Sequence, residues 1–120
     1  MKTGDKGIKR ILKAFVYSCD GFIESVKSEA AFRQELALCV VLLIAALLLP
    51  VGIIEKLFLI STLFLTLFAE LVNTAIEAVV DRISDKIHPL SKKAKDIGSL
   101  LVLLSFIYLG IVWITVIFSI

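Results

Sequence analysis

The sequence predicts an all-α membrane protein in which an N-terminal surface helix precedes three transmembrane helices. Of its 120 residues, 59% are hydrophobic and 20% are charged. Most charges lie before the first long apolar stretch or between the second and third such stretches. Since a helix needs about 20 apolar residues to cross about 30 Å of hydrocarbon, the chain has room for three spans in one domain.

Residues 1–34 are predicted to form an amphipathic helix at the membrane surface. Apolar residues recur every three or four positions from Ile8 to Val26, and charged residues occupy the other side. Such a helix lies in the interface with its basic side chains toward lipid phosphates. The pattern alone also fits a simple membrane anchor. The polar residues 28–35 then predict a hinge before the first span.

The three predicted spans cover residues 36–54, 57–80 and 97–120. Pro50 and Gly52 indicate the end of the first span, and a tight turn leads into the second. Residues 81–96 are polar and are predicted to form a loop. Within this loop Pro89 interrupts the helical pattern, and Ser91 is a candidate N-cap for the third span.

The distribution of basic residues predicts the orientation of the chain. Seven Lys and Arg residues precede the first span and five lie in the loop at 81–96, whereas the turn between the first two spans carries only Lys56. By the positive-inside rule, the N-terminus and this loop are cytoplasmic and the C-terminus is outside. The net charge of +2 gives no support for nucleic-acid binding.

The second predicted span carries polar side chains along one side. At 100° per residue, Asn73, Glu77 and Asp81 fall about −60°, −20° and +20° from Glu70. Ionisable groups in hydrocarbon cost several kcal/mol, so these carboxylates need a partner or a function. One interpretation is that they hydrogen-bond to neighbouring helices and only hold the bundle together.

The residue types narrow the chemistry that these carboxylates could support. The sequence has no Gly-rich phosphate loop, no Ser-His-Asp set and no Cys/His zinc cluster. Magnesium prefers oxygen ligands and usually takes one or two carboxylates together with substrate phosphates. A magnesium–nucleotide site with Lys95 and Arg10 as phosphate partners, and Glu70 as a base for a lipid alcohol, therefore fits the sequence. An ion-conducting membrane subunit that is not an enzyme also places acids in a span.

Three stretches of the sequence carry a resemblance to a known family. They are EAAFRQE at residues 29–35, ELVNTAIEAVVDR at residues 70–82 and AKDIGS at residues 94–99. In this order, and over essentially the whole chain, they resemble the small bacterial integral-membrane diacylglycerol kinases. A related branch of the family phosphorylates undecaprenol, but residues 31–35 and 81–84 are more similar to the glycerolipid branch.

The resemblance implies phosphorylation of the primary hydroxyl of diacylglycerol by ATP, giving phosphatidic acid, in the bacterial inner membrane. It implies a homotrimeric helical bundle whose active sites are shared between subunits. By the same resemblance Glu70 is the catalytic base, Asn73 helps to position the reacting groups, and Glu29 and Glu77 bind Mg²⁺ together with ATP.

The remaining expected contacts also follow from the resemblance. The other nucleotide-binding residues are expected to be Arg10, Tyr17, Lys86, Ile87, His88, Lys95 and Asp96. The residues expected to contact lipid substrate, besides Glu70, are Arg10, Ala14, Phe15, Val16, Tyr17, Ser18, Cys19, Ile23, Glu24, Ser25, Val26, Ala31, Phe32, Arg33, Gln34, Glu35, Lys56, Ser99 and Trp113.

Overall fold

The computed structural model describes residues 6–120, so the predictions for residues 1–5 lie outside it. Four α-helices follow one another along the chain: α1 (Gly7–Ser28), α2 (Ala30–Leu48), α3 (Ile53–Ile83) and α4 (Pro89–Phe118). The last three are long and apolar enough to cross a membrane. The predicted all-α fold with three candidate spans is therefore confirmed.

The first break in the chain lies at Glu29, so residues 30–34 belong to α2 rather than to the helix predicted at 1–34. Glu29 has an extended backbone, with φ −115° and ψ 106°. Arg33 Nη1 donates hydrogen bonds to the carbonyls of Val26 at 2.8 Å and Lys27 at 3.1 Å. These bonds satisfy carbonyls that the end of α1 would otherwise leave unpaired, which stabilises the break.

The second break separates α2 from α3 and comes earlier than predicted. Helix α2 ends at Leu48, whereas the first span was predicted to continue to residue 54. Leu49 has an extended backbone with ψ 140°, as expected for a residue that precedes proline. Pro50 therefore ends the helix, and α3 begins at Ile53 and runs antiparallel to α2.

The loop between α3 and α4 is much shorter than the predicted 81–96, because both helices continue beyond the apolar sequence. Only residues 84–88 lie outside the helices. The N-cap of α4 is His88, whose Nδ1 accepts a hydrogen bond from the Leu90 N–H at 3.1 Å, so the assignment of Ser91 was wrong. Pro89 fits the first helical position because it has no N–H to satisfy.

The interior of the bundle forms where α3 packs against α2 and α4. Its buried apolar residues are Cys39, Ala46, Leu59, Leu63, Trp113 and Val116. Polar side chains are buried among them, and Thr62 is 0% exposed. The Trp113 indole N–H donates to Thr62 Oγ1 at 2.9 Å, which links α4 to α3. Inside an apolar bundle such a bond holds two helices in one register.

We expect the Trp113–Thr62 hydrogen bond to contribute measurably to stability. Interhelical hydrogen bonds in membrane proteins contribute about 0.6 kcal/mol on average and at most about 1.7 kcal/mol. A double-mutant cycle of Thr62→Val and Trp113→Phe, followed by circular dichroism during unfolding in mixed micelles, should give a coupling free energy in this range. Additive effects of the two substitutions would show that the bond contributes nothing.

Candidate active site

The polar side of α3 faces the bundle interior over its middle turns. Thr62, Thr66 and Glu70 follow one another at four-residue spacing and are all buried. Thr66 Oγ1 donates to the Thr62 carbonyl at 2.8 Å, so its polar group is satisfied within the helix. Glu70 is 7% exposed and, unlike the threonines, brings a carboxyl group into the bundle.

Glu35 on α2 faces Glu70 on α3. Their carboxyl groups lie within interaction range of each other. Glu35 Oε2 is buried and has no hydrogen-bond partner. Glu70 is also within electrostatic range of Glu29 and Glu77. The fold therefore gathers four carboxyl groups from α2, α3 and the α1–α2 break around one end of the bundle.

One turn beyond Glu70, Asn73 and Glu77 form a hydrogen-bonded pair. Asn73 Nδ2 donates to Glu77 Oε1 at 2.7 Å, and both side chains are partly buried. Asn73 Oδ1 is buried without a hydrogen-bond partner. The amide thus fixes one carboxylate oxygen of Glu77.

The same end of the bundle has an open pocket of about 370 Å³ between the end of α3, the loop and the start of α4. Its lining includes five of the expected nucleotide-binding residues: Lys86, Ile87, His88, Lys95 and Asp96. Lys95 Nζ forms an ion pair with Asp81 Oδ1 at 2.7 Å, joining α4 to α3. This volume lies within the range of about 300–1,000 Å³ that is typical of small-molecule sites.

Asp81 was not among the residues expected to bind nucleotide, magnesium or lipid. It lines this pocket and forms the ion pair with Lys95. The sequence already placed Asp81 on the polar side of α3 through its four-residue spacing from Glu77, but that spacing did not reveal its contact with Lys95.

The expected site residues on α1 are mostly exposed rather than buried. Arg10 and Tyr17 are exposed, and α1 has no buried residue. The helix contacts mainly α2, where the rings of Phe22 and Phe32 meet edge to face with centroids 5.8 Å apart. Most of the expected lipid contacts on α1 are likewise exposed, and Ser25 and Val26 are half-buried.

Two expected lipid contacts lie toward the other end of the bundle. Lys56 is fourteen residues before Glu70 on the same helix, which corresponds to about 21 Å along its axis. Trp113 is 7% exposed, and its indole N–H is occupied by Thr62. The structure does not bring these two residues into contact with the carboxyl cluster.

The sequence profile of the family described as prokaryotic diacylglycerol kinase matches residues 16–117. The chain belongs to this family. It is 46% identical to the diacylglycerol kinase of Pseudomonas aeruginosa over 113 residues, which are 94% of this chain and 92% of the relative. It is 41% identical to the Escherichia coli K12 diacylglycerol kinase over 119 residues, covering 99% and 98% of the two chains. It is 39% identical to the Helicobacter pylori diacylglycerol kinase over 108 residues, which are 90% of this chain and 84% of the relative.

The range matched by the prokaryotic diacylglycerol kinase profile contains the whole carboxyl cluster and the pocket beside it. Glu29, Glu70 and Glu77 lie well inside it, as does the loop before α4. Among the expected site residues, Arg10, Ala14 and Phe15 precede it. The similarity to the Escherichia coli relative extends over 119 residues, so that match covers α1 as well as the three candidate spans.

Proposed function

We propose that this protein is a diacylglycerol kinase that transfers the γ-phosphoryl group of ATP to the primary hydroxyl of the lipid. The observation that carries the proposal is the set of Glu70, Asn73 and Glu77 on one side of α3, in a chain that belongs to the prokaryotic diacylglycerol kinase family. A phosphoryl transfer of this kind needs positioned reactants and neutralised charge rather than a covalent intermediate.

The spacing of the acids along α3 fits a reaction between a lipid and a water-soluble nucleotide. If the apolar part of α3 starts at Leu57, Glu77 lies about 30 Å along the axis and Glu70 about 20 Å. A hydrocarbon core is about 30 Å thick, so Glu77 reaches the boundary and Glu70 lies about 10 Å inside it. At these depths the lipid alcohol would meet Glu70 within the hydrocarbon layer, while the phosphates of ATP would approach Glu77 from the aqueous side.

In the proposed reaction Glu70 is the general base. The lipid hydroxyl oxygen forms a bond to the γ-phosphorus as the bond from that phosphorus to the β–γ bridging oxygen breaks. The hydroxyl proton passes to a Glu70 carboxylate oxygen, and ADP leaves. Glu35 borders Glu70, and Asn73 holds the Glu77 carboxylate in a fixed orientation.

The oxygen donors at this end of the bundle suit magnesium. Among residues 6–120 no group of three or more His, Cys, Asp or Glu side chains is arranged to hold a metal ion. Mg²⁺ usually binds through one or two carboxylates plus substrate phosphates, so Glu77 and Glu29 would hold it together with ATP. When bound, Mg²⁺ neutralises phosphate charge. Lys95 and the pocket beside it would contact the nucleotide.

The arrangement of α1 supports a site completed by more than one chain. Arg10 and Tyr17 are exposed on a helix that contacts mainly α2, whereas Glu70 and Glu77 lie on α3. In a homotrimer, α1 of one subunit could lie over α3 and α4 of the next. The proposal places α1 on the inner-membrane surface, with the N-terminus and the pocket in the cytoplasm and the C-terminus outside.

We expect purified protein in mixed micelles with labelled ATP and Mg²⁺ to transfer label to diacylglycerol. Parallel reactions should contain undecaprenol instead of diacylglycerol, or a chelator in place of Mg²⁺. Label on diacylglycerol, lost with the chelator, supports the proposal. Faster labelling of undecaprenol would assign the protein to the other branch of the family. Ion flux in liposomes without any lipid labelling would instead indicate a membrane subunit that is not an enzyme.

A further inference from the structure

Gly98 lies at the point where α4 comes closest to Asn73 of α3. Gly98 is buried, and a Cβ atom added to it would lie 3.2 Å from Asn73 Cγ, 3.6 Å from Asn73 Cα and closer still to Asn73 Oδ1. A Cβ atom added to Gly110, further along the same helix, would meet no other group within 4 Å. A methyl group at Gly98, unlike one at Gly110, would therefore require the Asn73 carboxamide to move.

The contact with Gly98 constrains which way the Asn73 carboxamide points. Its Nδ2 donates to Glu77 Oε1 at 2.7 Å, while its Oδ1 is buried against Gly98 without a hydrogen-bond partner. Because the amide group is planar, its two ends move together. Turning it over would place Oδ1 against the Glu77 carboxylate, and two acceptors cannot share a hydrogen bond. A group pressing on Oδ1 would thus also disturb the bond to Glu77.

We propose that Gly98 is a positioning residue that holds the Asn73 carboxamide in hydrogen-bonding contact with Glu77. Its effect on catalysis rests on the proposed function, in which Glu77 binds Mg-ATP. The geometric part of the inference, that Gly98 sets the orientation of Asn73, does not depend on that function. The two parts can therefore be tested separately.

The kinetic test compares Gly98→Ala with Gly110→Ala, which adds the same methyl group to the same helix in open space. Misplacing a catalytic group by about 1 Å can cost up to about 10²-fold in rate. We expect Gly98→Ala to raise KM for Mg-ATP by about tenfold while KM for the lipid and the Gly110→Ala kinetics stay within about twofold of the unaltered protein. Unchanged Mg-ATP kinetics in Gly98→Ala would overturn the proposal.

A double variant tests whether the effect passes through Asn73. If Gly98 acts only by orienting this carboxamide, Gly98→Ala should cost nothing more once Asn73→Ala has removed it. Independent, multiplying effects of the two substitutions would overturn the proposal. Should Gly98→Ala alone fail to fold, the double variant should fold again because the obstructing group is gone. Failure of both to fold would also contradict the proposed contact.

A spectroscopic test reads the Asn73 orientation directly, without reference to activity. Asn73 is the only asparagine in the sequence and Trp113 the only tryptophan, so selective isotope labelling gives one side-chain N–H₂ pair and one indole N–H. In Gly98→Ala we expect the Asn73 signals to shift and the Trp113 signal, which reports α3–α4 packing through Thr62, to stay in place. Unmoved Asn73 signals, or equal shifts of both residues, would overturn the proposal. A protein without kinase activity whose Asn73 signals shift as expected would contradict only the proposed function.

Discussion

Replacing Glu70 by glutamine is expected to lower the turnover number by at least about 100-fold while Mg-ATP binding is retained. Glutamine keeps the size and shape of the side chain, but its amide cannot accept the proton of the lipid hydroxyl. Since Glu70 is 7% exposed and lies among packed helices, no water-borne base can readily replace it. Initial rates in mixed micelles and nucleotide binding by calorimetry would measure the two quantities.

The matched control for this variant is Glu55→Gln. Glu55 is an exposed acid in the first turn of the same helix, far from the carboxyl cluster. The Glu55→Gln substitution removes the same negative charge, and the turnover number of this variant should stay within about twofold of that of the unaltered protein. A Glu70→Gln protein that turns over at the normal rate would remove Glu70 from the role of base.

Replacing Glu77 by alanine is expected to weaken Mg-dependent ATP binding by at least about tenfold, because even the loss of a group that only supports a metal ligand typically costs about 10- to 100-fold in metal affinity. The substitution removes the carboxylate that Asn73 Nδ2 holds at 2.7 Å and that reaches the proposed hydrocarbon boundary. The turnover number should fall as well, because the γ-phosphate would lose its position relative to the lipid hydroxyl. Titration of the rate with Mg²⁺ at fixed ATP would measure the effect.

The Glu77→Ala and Glu70→Gln substitutions are expected to change different kinetic quantities. Loss of a base lowers turnover without altering the magnesium requirement, whereas loss of a metal-binding carboxylate shifts the magnesium titration to higher concentration. Glu55→Ala, on the same helix, serves as the control and should leave the titration unchanged. An unaltered magnesium titration in Glu77→Ala would exclude Glu77 from the metal site.

The candidate site illustrates how much a helical sequence can predict. Glu70, Asn73 and Glu77 could be placed on one side of α3 from their spacing, because the angle between successive residues is fixed in an α-helix. Asn73 is hydrogen-bonded to Glu77 in the structure, as their four-residue spacing allows. The sequence could not predict that Glu35 faces Glu70. Glu35 lies on a different helix, and no local rule sets the register between helices.

The ends of the helices were predicted less well than their existence. The polar residues 89–96 read as a loop, yet they form the first turns of α4, with an ion pair between Lys92 and Asp96 at 2.6 Å. Apolar content defines where a chain can enter a membrane, but backbone hydrogen bonding continues a helix beyond that boundary. The cap at His88 depended on a local side-chain bond that the Ser91 assignment missed.

By itself, the sequence determined the all-α fold, the three candidate spans and the polar side of α3. These properties depend on hydropathy and helical periodicity, which are local. Only the tertiary structure decided that Glu35 faces Glu70, that Asp81 pairs with Lys95, and that Gly98 lies against Asn73. Each of these contacts joins two helices, and their register is set by how whole side-chain surfaces pack together rather than by any short stretch of residues.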